Sequence, residues 1–231
     1  MKRRAPLEIR VSFHRGRFWC NFPQMDTVAL MKMAVVFAGA YLAASANFSI
    51  AAARVLGKGD LRSAGSGNPG ATNLSRVAGK PAAALVLLLD VARAVGVVLA
   101  ARLLVGDGTA SLVAIPFLLG NLFPVFHRFR GGKGVAAAAG LMLAVSPVIM
   151  LCGGGVFLIT LGIGRRVSAG SVLMLSSYPL WAWFFERAAV DIGVCAAMAI
   201  AVALTHRSNI ARLFRGEEPP IFGAEKNGAA R

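Results

Sequence analysis

Three polar clusters in an otherwise apolar chain carry residue types suited to holding phosphate. The first is Ser66-Gly67-Asn68-Pro69-Gly70-Ala71-Thr72-Asn73, followed by Arg76 and Gly79. Glycines lack a Cβ and let backbone N–H groups converge on an anion, and Ser66, Asn68, Thr72, Asn73 and Arg76 can complete the contacts. A plain loop between two helices would share that composition, and the cluster is no Walker A loop, because no Gly-Lys here is followed by Ser or Thr at the required spacing. The second cluster is Gly120-Asn121-Leu122-Phe123-Pro124-Val125-Phe126, then Phe129-Arg130-Gly131-Gly132-Lys133-Gly134-Val135-Ala136. A run of Gly131, Gly132, Lys133 and Gly134 opening a helix puts N–H groups, a positive helix end and an ammonium in one place. The structural alternative is a tight turn carrying a cytoplasmic lysine. The third is His206-Arg207-Ser208-Asn209-Ile210-Ala211-Arg212-Leu213, then Gly216-Glu217-Glu218. His206 and Asn209 are three apart and share a face on a helical turn, although a histidine at a helix end is more often a cap.

The elements that must position these clusters are membrane helices. Hydrophobic residues make up 57% of the 231 residues and charged residues 15%, and mean hydropathy is +0.66. A soluble globule of this size would have nowhere to bury so much apolar surface. Residues 33–53 and 134–164 contain no Asp, Glu, Lys or Arg, as expected of segments solvated by lipid. The formal charge of +15 would suggest nucleic acid on a soluble protein. Here the basic residues punctuate the apolar runs, so they read as loop charges and no nucleic-acid partner is expected. Cys20, Cys152 and Cys195 are far apart, and neither a disulfide framework nor a metal site follows.

The apolar runs predict an all-α integral membrane protein of about seven transmembrane helices. The first is expected over 33–53, the second from Pro81 to near Leu104, and the third from the Gly106-Asp107-Gly108 turn to about Phe126, kinked at Pro116 and Pro124. Ser146 and Pro147 split 134–164, and at ~1.5 Å per residue the first piece reaches only ~20 Å, too short to cross a ~30 Å hydrocarbon core. Two further spans are expected over 168–185 and 188–205. The loops at 54–80, 127–133 and 165–166 carry net charges of +4, +3 and +2. Basic loops favour the cytoplasm, so the N-terminus is expected outside and the C-terminus inside. Residues 1–24 carry net +5 on the side the rule leaves poor in positive charge. They are read as a basic extension, with translation favoured to begin near Met25, ahead of a single membrane-embedded domain over 25–231.

Taken together, the three clusters and the run from Tyr41 to Glu218 resemble the bacterial acyl-phosphate-dependent glycerol-3-phosphate acyltransferase family, PlsY. The resemblance is carried by GDLRSAGSGNPGATNLSRVAGK, FPVFHRFRGGKGVA and HRSNIARLFRGEE. It implies a monomeric, seven-helix inner-membrane enzyme with a cytoplasmic active site and no cofactor or metal. The reaction would move a fatty acyl group from acyl phosphate to the sn-1 hydroxyl of glycerol 3-phosphate, giving lysophosphatidate and phosphate. Residue by residue, it implies Ser66, Arg76 and His206 at glycerol 3-phosphate, Lys133 with Gly131, Gly132 and Asn68 at the acyl-phosphate head, and Ser171 and Asn209 bridging the two. Thr72, Asn73 and Gly134 belong to the same motifs. Asn121 stands where the family usually has histidine, Ala44 where it has glycine, and Arg93 and Ala94 where it has the Lys-Gly of Asp-x-x-Lys-Gly.

The donor is a mixed anhydride and already activated. A catalyst needs mainly to hold two phosphates, align the hydroxyl and stabilise an oxyanion. The proton of the attacking hydroxyl can go to His206 or to an oxygen of the donor phosphate, and the second route is preferred. An acyl-CoA acyltransferase of the His-x4-Asp type is excluded, because Trp19, Gly132 and Ala211 occupy the fifth position after His14, His127 and His206. A small anion or organophosphate transporter is the alternative, since broken helices, glycines and basic residues serve that purpose too.

Overall fold

The computed structural model describes residues 10–14, 17–21 and 26–221. It departs from an all-α architecture in one place. Strands β1 (Arg10–His14) and β2 (Arg17–Asn21) pair antiparallel, Arg10 opposite Asn21 and His14 opposite Arg17. From Asp26 onward the regular structure is helical, and it forms two compact units, one ending at Val145 and the other starting at Ser146.

In the first unit α1 (Thr27–Ser45) and α2 (Phe48–Val55) are two helices where one continuous span was expected over 33–53. Asn47 makes the break. Its Oδ1 accepts from Ile50 N at 2.9 Å and so starts a new helix, as asparagine at an N-cap does. Helix α3 (Ala71–Ala78) follows a polar loop, and α4 (Lys80–Val105) is the longest element. At 26 residues, α4 is about 39 Å long and exceeds the hydrocarbon core. Pro81 sits in its first turn, where the missing N–H would have no helical partner anyway.

The expected third span is several pieces: α5 (Asp107–Ala110), a 3-10 turn at Ser111–Val113, α6 (Ala114–Leu122) and a second 3-10 turn at Val125–His127. Pro116 falls in the first turn of α6, which tolerates it, so no kink is required there. Pro124 follows the helix end at Phe123. The short helix expected before Ser146 is α7 (Val135–Val145). Helices α1 and α7 both pack on α4 and α6, α1 chiefly on α6 and α7 chiefly on α4. The buried residues include Ala44, Ala94, Val98, Phe117, Leu118 and Leu141.

The second unit holds α8 (Pro147–Gly164), α9 (Val167–Phe184), α10 (Ala189–Thr205) and α11 (Arg207–Phe214). Helix α9 packs on both α8 and α10, and α11 folds back onto α9. Arg187 donates from Nη2 to Ser146 Oγ at 2.9 Å, supplying a partner to a buried hydroxyl at the start of α8.

Among the described residues, three helical stretches are long and apolar enough to cross a membrane: 27–55, 80–105 and 147–164. Helices α10 and α11, bent by 65° at His206, make a fourth if they count as one span. Leu88, Leu103, Leu151, Ile159 and Ile163 point outward and are largely exposed. In water that surface would drive aggregation. In lipid it is the expected outer face, and the helices are those of an integral membrane protein.

Candidate active site

The first two motifs lie together in the first unit. Asp60 Oδ1 accepts from Arg62 N and Nε, and Oδ2 accepts from Arg62 Nη2 at 2.6 Å. These bonds hold the Asp60 carboxyl down to about 2. Arg62 Nη1 also donates to the His127 carbonyl at 3.1 Å, tying the loop before the first motif to the loop of the second. From the break between α1 and α2, Asn47 Nδ2 donates to the Pro69 carbonyl of the first motif at 3.0 Å. The Tyr41 hydroxyl donates to the Phe123 carbonyl at 2.7 Å, and Val125 N donates to Ser45 Oγ at 3.4 Å, fixing the second motif on α1.

Asn73 is fully buried and acts inside the loop. Its Oδ1 accepts from Ser66 N at 2.8 Å, and its Nδ2 donates to the Leu61 and Ala64 carbonyls. Gly67 N donates to the Ala64 carbonyl and Gly70 N to the Asn68 carbonyl. Gly131 N and Gly132 N donate to the Leu122 and Asn121 carbonyls at 3.1 and 3.2 Å, closing the end of α6. The amides of Ser66, Gly67, Gly70, Gly131 and Gly132 are engaged by the chain, so at these positions the glycines shape the loops.

The shaping is steric. A Cβ on Gly131 would stand 2.1 Å from the Asn121 carbonyl, 2.5 Å from that of Leu122 and 2.6 Å from Pro124 Cδ. One on Gly132 would meet the Pro69 carbonyl at 3.3 Å. Gly131 thus lets the second motif fold back on the end of α6, and Gly132 is where it comes close to Pro69 of the first motif. Gly134 has a φ of 80° and begins the turn into α7, a conformation that glycine adopts without strain. Lys133 is half-buried between them, while Ser66, Thr72 and Arg76 are exposed. Thr72 and Arg76 are four apart on α3 and so share its outer face, opposite buried Asn73 and Leu74.

The third motif and Ser171 lie in the second unit. His206 is buried at the bend between α10 and α11, with Nδ1 2.8 Å from the Val202 carbonyl. A carbonyl oxygen can only accept, so Nδ1 carries the hydrogen and protonation can change only at Nε2. Asn209 is buried, and its Nδ2 donates to Glu218 Oε1 at 2.6 Å. Ser168 Oγ donates to the same oxygen at 2.7 Å, and Arg212 Nε donates to Oε2 at 2.7 Å. Arg166 Nε reaches the Glu218 carbonyl at 2.9 Å. Ser171 is buried three residues past Ser168 on the same face of α9, and its hydroxyl donates to the Val167 carbonyl.

Glu218 has no assigned role in the sequence reading, yet it organises this cluster. Burial alone would push its carboxyl up, but the hydrogen bonds from Ser168, Asn209 and Arg212 outweigh that and hold it below the usual glutamate range. The neighbouring Glu217 faces outward and pairs with exposed Arg215. In sequence the two carboxylates are indistinguishable. The available signal was that they follow a helix carrying Arg212 and Asn209. Asn47 is likewise absent from the sequence reading, and an amide inside a charge-free apolar run was its signal.

With this geometry in place, the comparisons with known proteins define first a class and then a family. The fold matches the crystal structure of PlsY (YgiH), an integral membrane glycerol 3-phosphate acyltransferase, in its glycerol 3-phosphate form. The TM-score is 0.78 at 34% identity, covering 84% of this chain and 96% of that one. The lysophosphatidic acid form matches with a TM-score of 0.75 at 32% identity, covering 83% and 94%. Residues 34–216 match the sequence model of the family described as glycerol-3-phosphate acyltransferase. A glycerol-3-phosphate acyltransferase of Jannaschia sp. (strain CCS1) is 40% identical over 199 residues, covering 86% of this chain and 97% of the relative. One of Neisseria gonorrhoeae (strain FA 1090) is 41% identical over 187 residues, covering 78% and 93%. The chain belongs to the glycerol-3-phosphate acyltransferase family.

Two predictions follow from the geometry. Gly131→Ala forces a Cβ into two backbone carbonyls and should abolish activity and lower thermal stability in detergent. Gly132→Ala meets only one contact at 3.3 Å and should keep a measurable rate; equal loss in both variants would refute the steric account. Glu218, its carboxyl depressed in the folded state, stabilises the protein at neutral pH. That contribution is full above the unfolded glutamate value of about 4.3 and is lost as pH falls through the lower folded value. Thermal stability of wild type should thus fall on acidification below about pH 4.3, and Glu218→Gln should lose stability at pH 7 and show a flatter acid limb.

Proposed function

We propose that the chain transfers a fatty acyl group from acyl phosphate to the sn-1 hydroxyl of glycerol 3-phosphate, releasing lysophosphatidate and inorganic phosphate. Residues 25–231 carry the activity as one domain with seven membrane segments, working as a monomer in the bacterial inner membrane. The N-terminus is outside, and the motifs and C-terminus face the cytoplasm. The family, whose match spans 34–216, supports the reaction, and the basic loops support the orientation. The observation that carries the reading is the tie between the segments that lead to Arg76 and Lys133, made by Arg62 to the His127 carbonyl, with Asn47 anchoring the first of them at the Pro69 carbonyl.

In this proposal Ser66, Arg76 and His206 take glycerol 3-phosphate. Lys133 and Asn68 take the phosphate of the donor, on a loop shaped by Gly131, Gly132 and Gly134. Thr72 shares the outer face of α3 with Arg76, and Asn73 holds the Ser66 amide so that the serine hydroxyl is presented. Ser171 and Asn209 bridge the substrates, with Asn209 oriented by Glu218. The acceptor hydroxyl attacks the acyl carbon, and a carbon–oxygen bond forms as the bond from acyl carbon to phosphate oxygen breaks. Phosphate departs with the electron pair. The hydroxyl proton goes to an oxygen of that phosphate, since the leaving group is an internal base and no covalent enzyme intermediate is needed. Lys133 stabilises the charge that develops.

Purified protein in detergent should form lysophosphatidate with acyl phosphate and not with acyl-CoA. Product formation with no second compartment separates an enzyme from an organophosphate transporter. Lys133→Ala should lower kcat by orders of magnitude while the protein still extracts folded, and Lys133→Arg should recover only part, because a planar guanidinium needs more room than an ammonium. Near-normal turnover of Lys133→Ala at saturating donor would remove the lysine from the site.

His206 gives a separate test. As a positioning group, its replacement by Gln should raise the KM for glycerol 3-phosphate and leave part of the rate. A general base would instead contribute ~10²–10⁴-fold to kcat at saturating acceptor. A loss confined to kcat, with disappearance of an ionisation from the rate profile, would overturn the substrate-assisted route.

A further inference from the structure

Asp90 and Arg93 on α4 form a buried ion pair, with no part in the proposed reaction. Arg93 Nη2 lies 2.6 Å from Asp90 Oδ1, and both side chains are about nine-tenths buried, at 10% and 11% exposure. The pair does more than neutralise itself. Arg93 Nη1 donates to the Ala43 carbonyl at 3.0 Å and also to the Ala46 carbonyl. Its guanidinium carbon stands 4.4 Å from the centre of the Phe48 ring and 5.6 Å from that of Phe117. All of these acceptors and rings except Phe117 lie on the two sides of the break between α1 and α2.

The break creates the need for such a partner. Carbonyls at the end of α1 have no helical donor, and in a lipid-solvated bundle they have little water either. A guanidinium offers donors in a fixed plane, so one face can serve the carbonyls of α1 while the next donor meets Asp90. The negative end of the α1 dipole also favours a cation there. Arg93 thus caps a helix to which it does not belong.

Immediately beyond the Ala46 carbonyl comes Asn47. One end of its amide starts α2 at Ile50 N, and the other end holds the Pro69 carbonyl. Pro69 sits between Asn68 and Gly70 in the first motif, and its carbonyl is also the surface on which Gly132 rests. The path from α4 to the loop is therefore three contacts long: Arg93 to Ala46, the Ala46–Asn47 peptide, and Asn47 to Pro69.

We propose that Arg93, braced by Asp90, is a positioning residue for the phosphate loop, acting through the broken first span and Asn47. This rests on the assignment of residues 66–76 to substrate. The sequence resemblance has lysine at this position, and an ammonium cannot present the same planar set of donors, so the arginine of this chain is the tighter clamp.

The test uses full-length protein in detergent, with Arg93→Met, Arg93→Lys, Asn47→Ala and the double variant Arg93→Met/Asn47→Ala. Arg102→Met is the control, since its pair with Asp107 is solvent-exposed. Two quantities are read: the KM for glycerol 3-phosphate, and hydrogen exchange of the amides over 64–74, which needs no substrate. Arg93→Met and Asn47→Ala should each raise KM by about tenfold, the scale of a lost buried hydrogen bond. Each should also speed exchange across the loop, Arg93→Lys should fall between Arg93→Met and wild type, and the control should match wild type. The double variant should lose little more than the worse single, because both act on one path.

Independent, multiplying losses would overturn the proposal, as would unchanged loop exchange in Arg93→Met. Faster exchange with an unchanged KM would overturn it by taking the loop out of the site. If Arg93→Met does not fold, Arg93→Lys and Asn47→Ala carry the same comparison. An unchanged KM in Ser66→Ala would locate the failure in the substrate assignment of the loop, and the exchange data would still report on the clamp.

Discussion

The first unit depends on the rule that a backbone polar group away from water must find a partner. A membrane helix that runs unbroken satisfies the rule by itself. This chain breaks its helices at Asn47 and beside the polar motifs, and side chains help to close the breaks. Arg93 takes the carbonyls of Ala43 and Ala46, Asn47 takes an amide of α2, and the Tyr41 hydroxyl takes the Phe123 carbonyl at the end of α6. In the second unit Arg187 meets Ser146 at the start of α8, and Glu218 meets Ser168 at the start of α9. Where the group served is buried, as the Ser146 and Ser168 hydroxyls are, removing the partner costs about 1–3 kcal/mol.

The same closures shape the electrostatics. The acidic residues nearest the motifs are bound to structural arginines: Asp60 to Arg62, and Glu218 to Arg212. Their charge is thereby cancelled locally, and Arg62 and Arg212 serve the fold. Burial, reinforced by the cations of Arg54 and Arg62, also holds His127 below the usual histidine range, so that it adds no charge beside the second motif at neutral pH. Arg76 on α3 and Arg128, Arg130 and Lys133 before α7 leave both motifs net positive, a balance suited to the proposed phosphate-bearing substrates.

Membrane character and the position of most helices were legible because they follow from charge-free runs, and α7 was legible because its length is bounded by Gly134 and Pro147. The break at Asn47 was not. The lone amide in 33–53 is compatible with one helix or two, and its partner Pro69 and the clamp Arg93 are distant in sequence. The glycines were seen, but their steric role was not. Composition shows that Gly131 and Gly132 lack side chains, whereas only the packing of Asn121, Leu122 and Pro124 shows that their amides are engaged and their missing Cβ atoms are the point. Glu218 was hidden for a similar reason, since only the return of the chain over α9 distinguishes it from Glu217.

The bend at His206 shows how the fold limits the chemistry. Because the Val202 carbonyl fixes the hydrogen on Nδ1, the imidazole has one nitrogen whose state can vary. Protonated there, the ring is a cation that can hold a phosphate but cannot accept a proton from a hydroxyl. Neutral there, it can accept the proton but offers a phosphate no charge at that nitrogen. The two roles exclude one another at any instant. On the proposed route, in which the departing phosphate takes the proton, the histidine is left for the acceptor. The bond to Val202 then orients the ring, the task that a buried, backbone-anchored imidazole performs best.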